Sequence, residues 1–248
     1  MRVDLHLHSA RSLDGSMSRA ELAARAKARR LDAVAICDHD VSPEPADFET
    51  RTIDGVLFIP AVEYSTNHGH LLGLFLSRPV AAHESERIDF AAAAGEIHAA
   101  GGLCVLAHPF EQAKDFAARE DELCALLPLL DGVEVFNSRA DYKYDGANRA
   151  AADFAARHGL ACVTAGSDAH RRAEVGNACL ELDCPCETEA IKAAVKSGGG
   201  RVVGRNSPRR HIALSQLTKA KKQRAGLKRY LKSAALLCMF TVKDLFKR

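Results

Sequence analysis

Short apolar runs alternate along this 248-residue chain with longer Ala-rich stretches that have helical spacing. This alternation is typical of βα units built around a parallel sheet. We expect eight strands, at residues 2–8, 33–37, 56–63, 70–76, 103–107, 132–136, 161–165 and 176–182. We expect the clearest helices at residues 18–30, 84–100, 115–127, 142–158 and 187–197. Ser18 and Glu21 have the spacing of a capping box at the start of the first helix.

Polar and ionisable residues follow the carboxyl end of almost every predicted strand. They are His6, His8, Asp38, His39, Asp40, Glu63, His108, Asn137, Asp168 and His170. A closed β/α barrel gathers its strand ends into one ring of loops, whereas an open sheet spreads them along a line. The sequence therefore favours an α/β fold in which a closed barrel carries one site at its mouth.

Two short motifs place pairs of ligand-type side chains on the same side of a strand. His6 and His8 are two residues apart, and Asp168 and His170 repeat the spacing with a carboxylate and an imidazole. Together with five further candidates near the strand ends, these pairs make a set of six imidazoles and three carboxylates. Such a set suits Zn²⁺, Mn²⁺ or Fe²⁺ and lacks the thiolates of a structural zinc site. Nine ligands exceed the needs of one ion with an open position, so we expect two or three ions. The nine candidates are His6, His8, Asp14, His39, Glu63, His70, His108, Asp168 and His170.

The other histidines lie at different places in the pattern. Surface or packing roles are expected for His83, His98, His158 and His211, which fall in predicted helical or tail segments. His68 flanks His70, and it is open as a ligand, a substrate contact or a loop residue.

The charge of the chain is unevenly distributed. With 34 Lys and Arg against 32 Asp and Glu, the net charge of +2 indicates no dedicated nucleic-acid binder. Residues 201–248 nevertheless hold 14 of the basic residues and one acid, Asp244. Three interpretations of this basic tail are open: a solvated and partly helical appendage, an amphipathic helix on anionic lipid, and a clamp for an oligonucleotide.

The N-terminal residues lack the basic and apolar regions of a secretory signal. The longest apolar run, residues 234–242, is about half of the ~20 residues that a membrane-crossing helix needs. We therefore expect a cytoplasmic protein with no transmembrane segment. A content of 47% hydrophobic and 27% charged residues excludes a disordered or fibrous chain.

An ordered series of motifs resembles the PHP (polymerase and histidinol phosphatase) superfamily over residues 1–205. The motifs are Asp4-Leu5-His6-Leu7-His8-Ser9, Ser12-Leu13-Asp14-Gly15, Asp38-His39-Asp40, Val62-Glu63-Tyr64-Ser65, Gly69-His70-Leu71-Leu72-Gly73, Ala107-His108-Pro109 and Gly166-Ser167-Asp168-Ala169-His170. The resemblance implies a distorted (β/α)₇ barrel with a trinuclear metal centre, followed by a basic tail at residues 206–248.

The resemblance also implies which ligands share an ion. One metal would take His6, His8, Glu63 and Asp168. A second would take Glu63, His70 and His108, so that Glu63 bridges the two. A third would take Asp14, His39 and His170.

Residues 133–139 and 204–207 are similar to the stand-alone phosphoesterases of this superfamily, and less so to PHP domains attached to DNA polymerases. The resemblance implies hydrolysis of a phosphate monoester on a nucleotide, such as a 3′,5′-nucleoside bisphosphate or a short oligonucleotide. The alternatives are histidinol phosphate as substrate, an amidohydrolase-type metal hydrolase, and a metal-free nucleic-acid-binding scaffold. Amidohydrolases favour a modified Lys between two metals, and the predicted ligand strands have no Lys. The nine candidate ligands argue against the scaffold.

Hydrolysis of a phosphate ester needs cations around the phosphoryl group and a proton for the leaving oxygen. Asp40 and His170 are the candidate proton donors, with support of His39 as the other interpretation of Asp40. Residues after the strand ends are the candidate substrate contacts, namely Asn137, Arg139, Lys143, Arg171 and Arg172.

Overall fold

The computed structural model describes residues 1–49, 51–83 and 87–246. Its strands are β1 (Arg2–Leu7), β2 (Ala33–Ile36), β3 (Thr52–Ile53), β4 (Val56–Thr66), β5 (Gly69–Leu74), β6 (Leu103–Leu106), β7 (Gly132–Asn137), β8 (Cys162–Gly166), β9 (Ala178–Leu182) and β10 (Gly200–Gly204). Its helices are α1 (Arg19–Ala28), α2 (Pro45–Glu49), α3 (Phe90–Ala99), α4 (Phe116–Cys124), α5 (Ala147–Arg157), α6 (Thr188–Lys196), α7 (Arg210–Lys222) and α8 (Leu227–Phe246).

The strands form one sheet that curls into a nearly closed barrel. Its order is β10-β9-β1-β2-β4-β5-β6-β7-β8, with β3 added to β4. The chain that leaves β8 returns to β1, where Asp168 N–H donates to the His6 carbonyl at 2.7 Å and His8 N–H donates to the Ala169 carbonyl at 2.9 Å. The α/β barrel expected from the sequence is confirmed.

The sheet is mixed, unlike the parallel sheet expected from the alternation. β5 runs antiparallel to both β4 and β6, and β9 runs antiparallel to β1 and β10. The physical reason is connection length, because only Asn67 and His68 join β4 to β5. A parallel crossover needs a dozen or more residues, so this link closes a hairpin. The reversal brings the start of β5 to the end of the barrel where β4 and β6 finish.

The helices cover the barrel through apolar side chains. The predicted capping box of α1 is confirmed, with Ser18 and Glu21 bonding to each other's backbone N–H groups. The helix expected at residues 84–100 begins only at Phe90, because Asp89 caps it by accepting from the Ala92 N–H. Residues 84–86 of that segment lie outside the described residues. Phe90 then joins Phe154 of α5 in an apolar cluster against the strands.

The basic tail consists mainly of two helices, α7 and α8. α7 is packed against the body of the protein, since Ile212, Ala213, Ser215 and Ala220 are buried. A solvated appendage therefore does not describe this part of the tail. None of the described helices combines the length and the apolar character that crossing a membrane requires.

Candidate metal centre

The loops at one end of the barrel bring the nine candidate ligands into one cluster. Every member has a nitrogen or oxygen within 4.0 Å of another member. The ligands come together because each of them lies on a strand or at most seven residues beyond the end of one, at the same rim of the barrel.

Glu63 of β4 lies at the centre of the cluster and is buried. Its Oε2 lies 3.1 Å from His6 Nε2, 3.3 Å from His8 Nε2 and 3.2 Å from His39 Nδ1. The H-x-H motif at the end of β1 thus presents both imidazoles to one carboxylate oxygen, as the two-residue strand period predicts.

The other oxygen of Glu63 faces a second set of imidazoles. Its Oε1 lies 2.8 Å from His70 Nδ1 and 3.1 Å from His108 Nε2. His70 reaches this position because the hairpin turns β5 back toward the barrel mouth. His68, in the turn itself, packs edge-on near Phe90 and lies outside the cluster.

Asp168 and Asp14 supply the carboxylates on the opposite side. Asp168 Oδ1 lies 3.1 Å from His8 Nε2 and 3.4 Å from His170 Nδ1. Asp14 Oδ1 lies 3.3 Å from His170 Nε2, and Asp14 Oδ2 lies 4.0 Å from His39 Nε2. Asp14 thus lies beside both His170 and His39, and His39 also contacts Glu63 through its other ring nitrogen.

This set of donors fits divalent metal ions. Within the cluster, His8 Nε2 and Asp14 Oδ1 are buried and have no partner in hydrogen-bonding geometry among the described residues. Buried polar atoms without a partner are costly, so both atoms indicate a partner outside the polypeptide. Four triads have donor atoms within 4.8 Å of one another: His8, His39 and His170; His6, His8 and Glu63; His6, His108 and Glu134; and His39, Glu63 and His70.

The buried carboxylates depend on neighbouring positive charge. Burial opposes ionisation of Glu63, but the surrounding imidazoles, His39 and His6 foremost, hold its pKa well below the ordinary value. Burial also opposes protonation of His8, yet the neighbouring carboxylates of Asp168 and Glu63 raise the pKa of His8 to about 9. At His39 burial prevails and lowers the pKa to about 3. Metal ions bound here would take over the charge that protons otherwise supply.

Glu134 supports the ligands from behind. Its Oε1 lies 3.0 Å from His6 Nδ1, and its Oε2 accepts from the His108 N–H at 2.9 Å and from Asn137 Nδ2 at 3.0 Å. Sequence reasoning missed Glu134 because it lies inside the apolar run of β7. The available signal was a charged residue in the middle of a buried strand, which is rare unless the residue is paired.

Asp38 fulfils a similar role between β1 and β2. It accepts hydrogen bonds from Ser9 N–H at 2.8 Å and from Ser12 Oγ at 2.8 Å. The same Ser12 Oγ lies 3.3 Å from His8 Nδ1 and accepts from the His39 N–H at 3.0 Å. One carboxylate thus orders the loop that holds two imidazoles in place.

The barrel mouth also carries unusual backbone conformations. Asp40, His108 and Asp168 have φ angles of 56°, 26° and 50°. Residues other than Gly rarely adopt this region, and such conformations concentrate at functional sites. Gly166, at the end of β8, allows the close approach of β1, since a Cβ there would lie 2.2 Å from the His6 Cβ.

The two candidate proton donors line a cavity of about 440 Å³ above the cluster. Both oxygens of Asp40 accept hydrogen bonds from Ser65, one from its N–H and one from its Oγ, each at 2.7 Å. His170 lies deeper, between Asp14 and Asp168. The structure therefore brings His170 into the metal cluster and Asp40 to its edge.

The candidate substrate contacts occupy different environments. Asn137 is buried behind the cluster beside Glu134. Arg139 lines the cavity, but its Nε and Nη2 each lie 2.8 Å from an oxygen of Glu174, so its guanidinium is already paired.

The remaining three are not among the residues that line the cavity. Lys143 is exposed, with its ammonium 5.6 Å from the Tyr144 ring centre. Arg172 is exposed, and Arg171 lies 3.4 Å from the Thr218 hydroxyl of α7.

Comparison with known proteins finds two family matches and one curated relative. A model of the PHP domain matches residues 4–73, and a PHP-associated model matches residues 145–198. The chain is 33% identical over 188 residues to an uncharacterized protein of Methanocaldococcus jannaschii, a match that covers 73% of this chain and 70% of that protein.

Two solved structures show the same fold. A two-domain protein of Bacteroides vulgatus that contains a predicted PHP-like metal-dependent phosphoesterase has a TM-score of 0.61 at 20% identity, over 83% of this chain and 65% of its own. This chain thus spans less than two thirds of that protein. An amidohydrolase of Chromobacterium violaceum, with bound sulfate and no metal, has a TM-score of 0.61 at 20% identity, over 82% of this chain and 98% of its own.

The matched PHP segment contains the H-x-H motif of β1 and reaches beyond Glu63 and His70. The motif series and the matched family model therefore agree, and the resemblance found in the sequence is confirmed. The chain belongs to the PHP family.

Proposed function

We propose that this protein is a metal-dependent phosphoesterase that hydrolyses a phosphate monoester. The observation that carries the proposal is the environment of Glu63, a single buried carboxylate whose two oxygens lie within 3.3 Å of five imidazoles. A metal-free binding scaffold has no use for five imidazoles gathered around one buried carboxylate, with His6 and His8 fully buried among them, because burying ionisable groups is costly.

Metal ions held by this cluster would supply an acidified water as nucleophile and positive charge opposite the phosphoryl oxygens. Each part of the chain has a task in that chemistry. The two oxygens of Glu63 face different imidazoles, so this carboxylate fixes the separation of the two positions that it joins. Glu134 and Asp38 keep the imidazoles oriented, which spares the site reorganisation during the reaction.

We assign the ligands to three positions. His6, His8, Glu63 and Asp168 form the first, Glu63, His70 and His108 the second, and Asp14, His39 and His170 the third. The short distances within each group support this assignment. Mn²⁺, Zn²⁺ and Fe²⁺ are the ions that such a mixed nitrogen and oxygen shell suits.

The leaving oxygen needs a proton. His170 has its Nε2 3.3 Å from Asp14 at the floor of the cavity, and we propose it as the donor when the third position holds no ion, because an Nε2 bound to metal has no proton to give. Asp40 is the second candidate, although donation from it requires one of its two hydrogen bonds from Ser65 to give way. Its position beside His39 also suits the support of that ligand.

We propose a nucleotide as the ester. The cavity of about 440 Å³ lies in the usual range for small-molecule sites. Tyr142 lines it, and its ring gives a base a face for stacking. Histidinol phosphate is the alternative substrate, and a screen of phosphorylated metabolites distinguishes it from a nucleotide. An amidohydrolase activity is the weaker alternative, since β1, β4, β5 and β8, the strands that carry or precede most of the ligands, contain no Lys that could be modified to bridge two metals.

The test is a phosphate-release screen of phosphorylated metabolites with Mn²⁺ present, run with and without a chelator. We expect chelator-sensitive release from a nucleotide, most of all from a 3′,5′-bisphosphate. Hydrolysis of amides with no release from any phosphate ester would overturn the proposal.

A further inference from the structure

Helix α7 of the basic tail forms one wall of the cavity above the metal cluster. Its cavity-lining residues are Ile212, Gln216 and Lys219, and Gln223 continues the row just after the helix ends. Steps of four, three and four residues place these side chains on one helix face. The tail therefore belongs to the site and is not remote from it.

The C-terminal end of α7 is tied to the loop that carries Asp14. Lys222 Nζ donates to the carbonyls of Ala10 at 2.7 Å, Ser12 at 2.6 Å and Gly15 at 2.9 Å. All three donors of one ammonium are thus used in fixing the helix to the barrel.

The N-terminal part of α7 is tied at two further points. The Arg139 guanidinium, already paired with Glu174, also lies 3.2 Å from the Ser215 Oγ. Asp244 of α8 accepts from the backbone N–H of Arg209 at 2.9 Å. A helix held at both ends gives its cavity face a defined position.

A phosphate ester is negatively charged, and so are the carboxylates of this site. A cationic side chain on the cavity wall would therefore favour binding of the ester in addition to the metal positions. Among the described residues, the Lys and Arg side chains that line the cavity are Arg11, Arg139 and Lys219. Arg11 is engaged elsewhere, with its Nη2 2.6 Å from the Ser42 carbonyl and its Nη1 3.3 Å from Asp47.

Arg139 is buried and paired with Glu174, which leaves Lys219. Its Nζ lies 4.0 Å from Asp14 Oδ2, beyond hydrogen-bonding distance, and about a third of its side chain is exposed, at 32%. Within the described part of the chain, this is the one polar contact recorded for the Lys219 ammonium. Three N–H donors therefore stand at the cavity wall beside a proposed metal ligand.

We propose that Lys219 binds a phosphoryl oxygen of the substrate, and that Gln216 and Gln223 contact the remainder of the ester. This inference rests on the proposed function. A lysine ammonium is a compact point charge that suits phosphate, and its flexible stem allows it to move from Asp14 to the ligand. The tail helix thereby supplies a substrate contact that the barrel itself lacks.

The test compares Lys219→Met with Lys219→Arg and with Lys221→Met, a control on an exposed lysine of the same helix. Two kinds of measurement are made on the Mn²⁺-loaded full-length protein. One is the KM and kcat for 4-nitrophenyl phosphate, and the other is the Kd for inorganic phosphate from calorimetry. We expect Lys219→Met to raise KM and Kd about tenfold with a smaller change in kcat, since a charged hydrogen bond contributes about that much.

Lys219→Arg should restore most of the affinity, and Lys221→Met should match the wild type. Unchanged KM and Kd in Lys219→Met, with normal hydrolysis by the wild type, would overturn the inference and leave the proposed function standing. Phosphate binding that depends on Lys219 in a protein that hydrolyses no ester would support the inference and overturn the function. A wild type that neither binds phosphate nor hydrolyses the ester would overturn both.

Discussion

The Glu134 carboxylate lies directly behind His6, with its Oε1 3.0 Å from His6 Nδ1. Its other oxygen accepts the His108 N–H and the Asn137 side-chain amide. This one side chain therefore holds an imidazole from β1, a backbone from the loop after β6 and an amide from the end of β7. Because both of its oxygens accept hydrogen bonds, Glu134 fixes the ring nitrogen by which His6 faces Glu63.

The first prediction follows from this arrangement. Glu134→Gln puts an NH₂ group opposite one of these N–H donors, so one hydrogen bond is replaced by a repulsive contact. We expect metal affinity to fall by about 10–100-fold, the usual effect of losing the support of a ligand. Competition with a chelator measures the affinity. Glu122→Gln on the exposed face of α4 is the control, and equal affinities in the two variants would contradict the role of Glu134.

The second prediction concerns Glu63. Glu63→Gln removes the charge that joins two sets of imidazoles, and we expect turnover to fall by more than about a hundredfold, the upper range for residues that only support a ligand. The fold should persist, because the barrel mouth adds little to core packing. Phosphate release and circular dichroism test both parts. His98→Ala and His158→Ala, distant from the cluster, should be nearly silent, and near-normal turnover in Glu63→Gln would remove its bridging role.

The third prediction is the metal content. We expect two or three divalent ions per chain after metal-replete expression. Asp14→Asn should lose one of them, because Asp14 is the carboxylate of the proposed third position, 3.3 Å from His170 and 4.0 Å from His39. Elemental analysis gives both numbers. Fewer than one ion per wild-type chain would contradict the metal cluster.

The local patterns of the sequence predict much of this site, because strand periodicity fixes relative orientation within a few residues. His6 with His8 and Asp168 with His170 are pairs of this kind. The choice between His68 and His70 depends on where the hairpin turns, and the two-residue link to β5 becomes clear only when β4 and β5 are paired. His68 lies in the turn and His70 is the second residue of β5, so the position of the turn decides which imidazole faces the cluster.

Other parts of the site depend on contacts between distant segments. Glu134 supports His6 across 128 positions of sequence, and Lys219 reaches the cavity because Lys222 and Arg139 dock α7 on the barrel. No periodicity within the tail encodes that docking. Its basic composition is compatible with a solvated appendage, an oligonucleotide clamp or a lipid-bound helix, whereas the fold places Lys219 at the cavity above the cluster.

The fourth prediction concerns the packing of β8 against β1. A Cβ on residue 166 would lie 2.2 Å from the His6 Cβ, so Gly166→Ala forces the two strands apart. We expect a loss of about 1–3 kcal/mol in the free energy of unfolding, together with weaker metal binding. Urea denaturation measures the stability. Gly95→Ala in α3, where nothing lies within 4 Å of the added Cβ, should instead be neutral or stabilising by up to about 1 kcal/mol.

The last prediction separates the structural role of Arg139 from a role in binding substrate. Arg139 and Glu174 are both buried and form a bidentate pair, so Glu174→Gln leaves a buried guanidinium without its counter-charge. We expect a loss of about 3–5 kcal/mol in the free energy of unfolding. The double variant Arg139→Met/Glu174→Gln removes both charges and keeps an acceptor for the His170 N–H, which lies 3.3 Å from Glu174 Oε2. It should recover most of that loss in urea denaturation. If Arg139 only helps to dock α7, the contacts of Lys222 and Asp244 still hold that helix, and the double variant should bind inorganic phosphate nearly as well as the wild type. A stable double variant with phosphate affinity lowered about tenfold would instead make Arg139 a substrate contact.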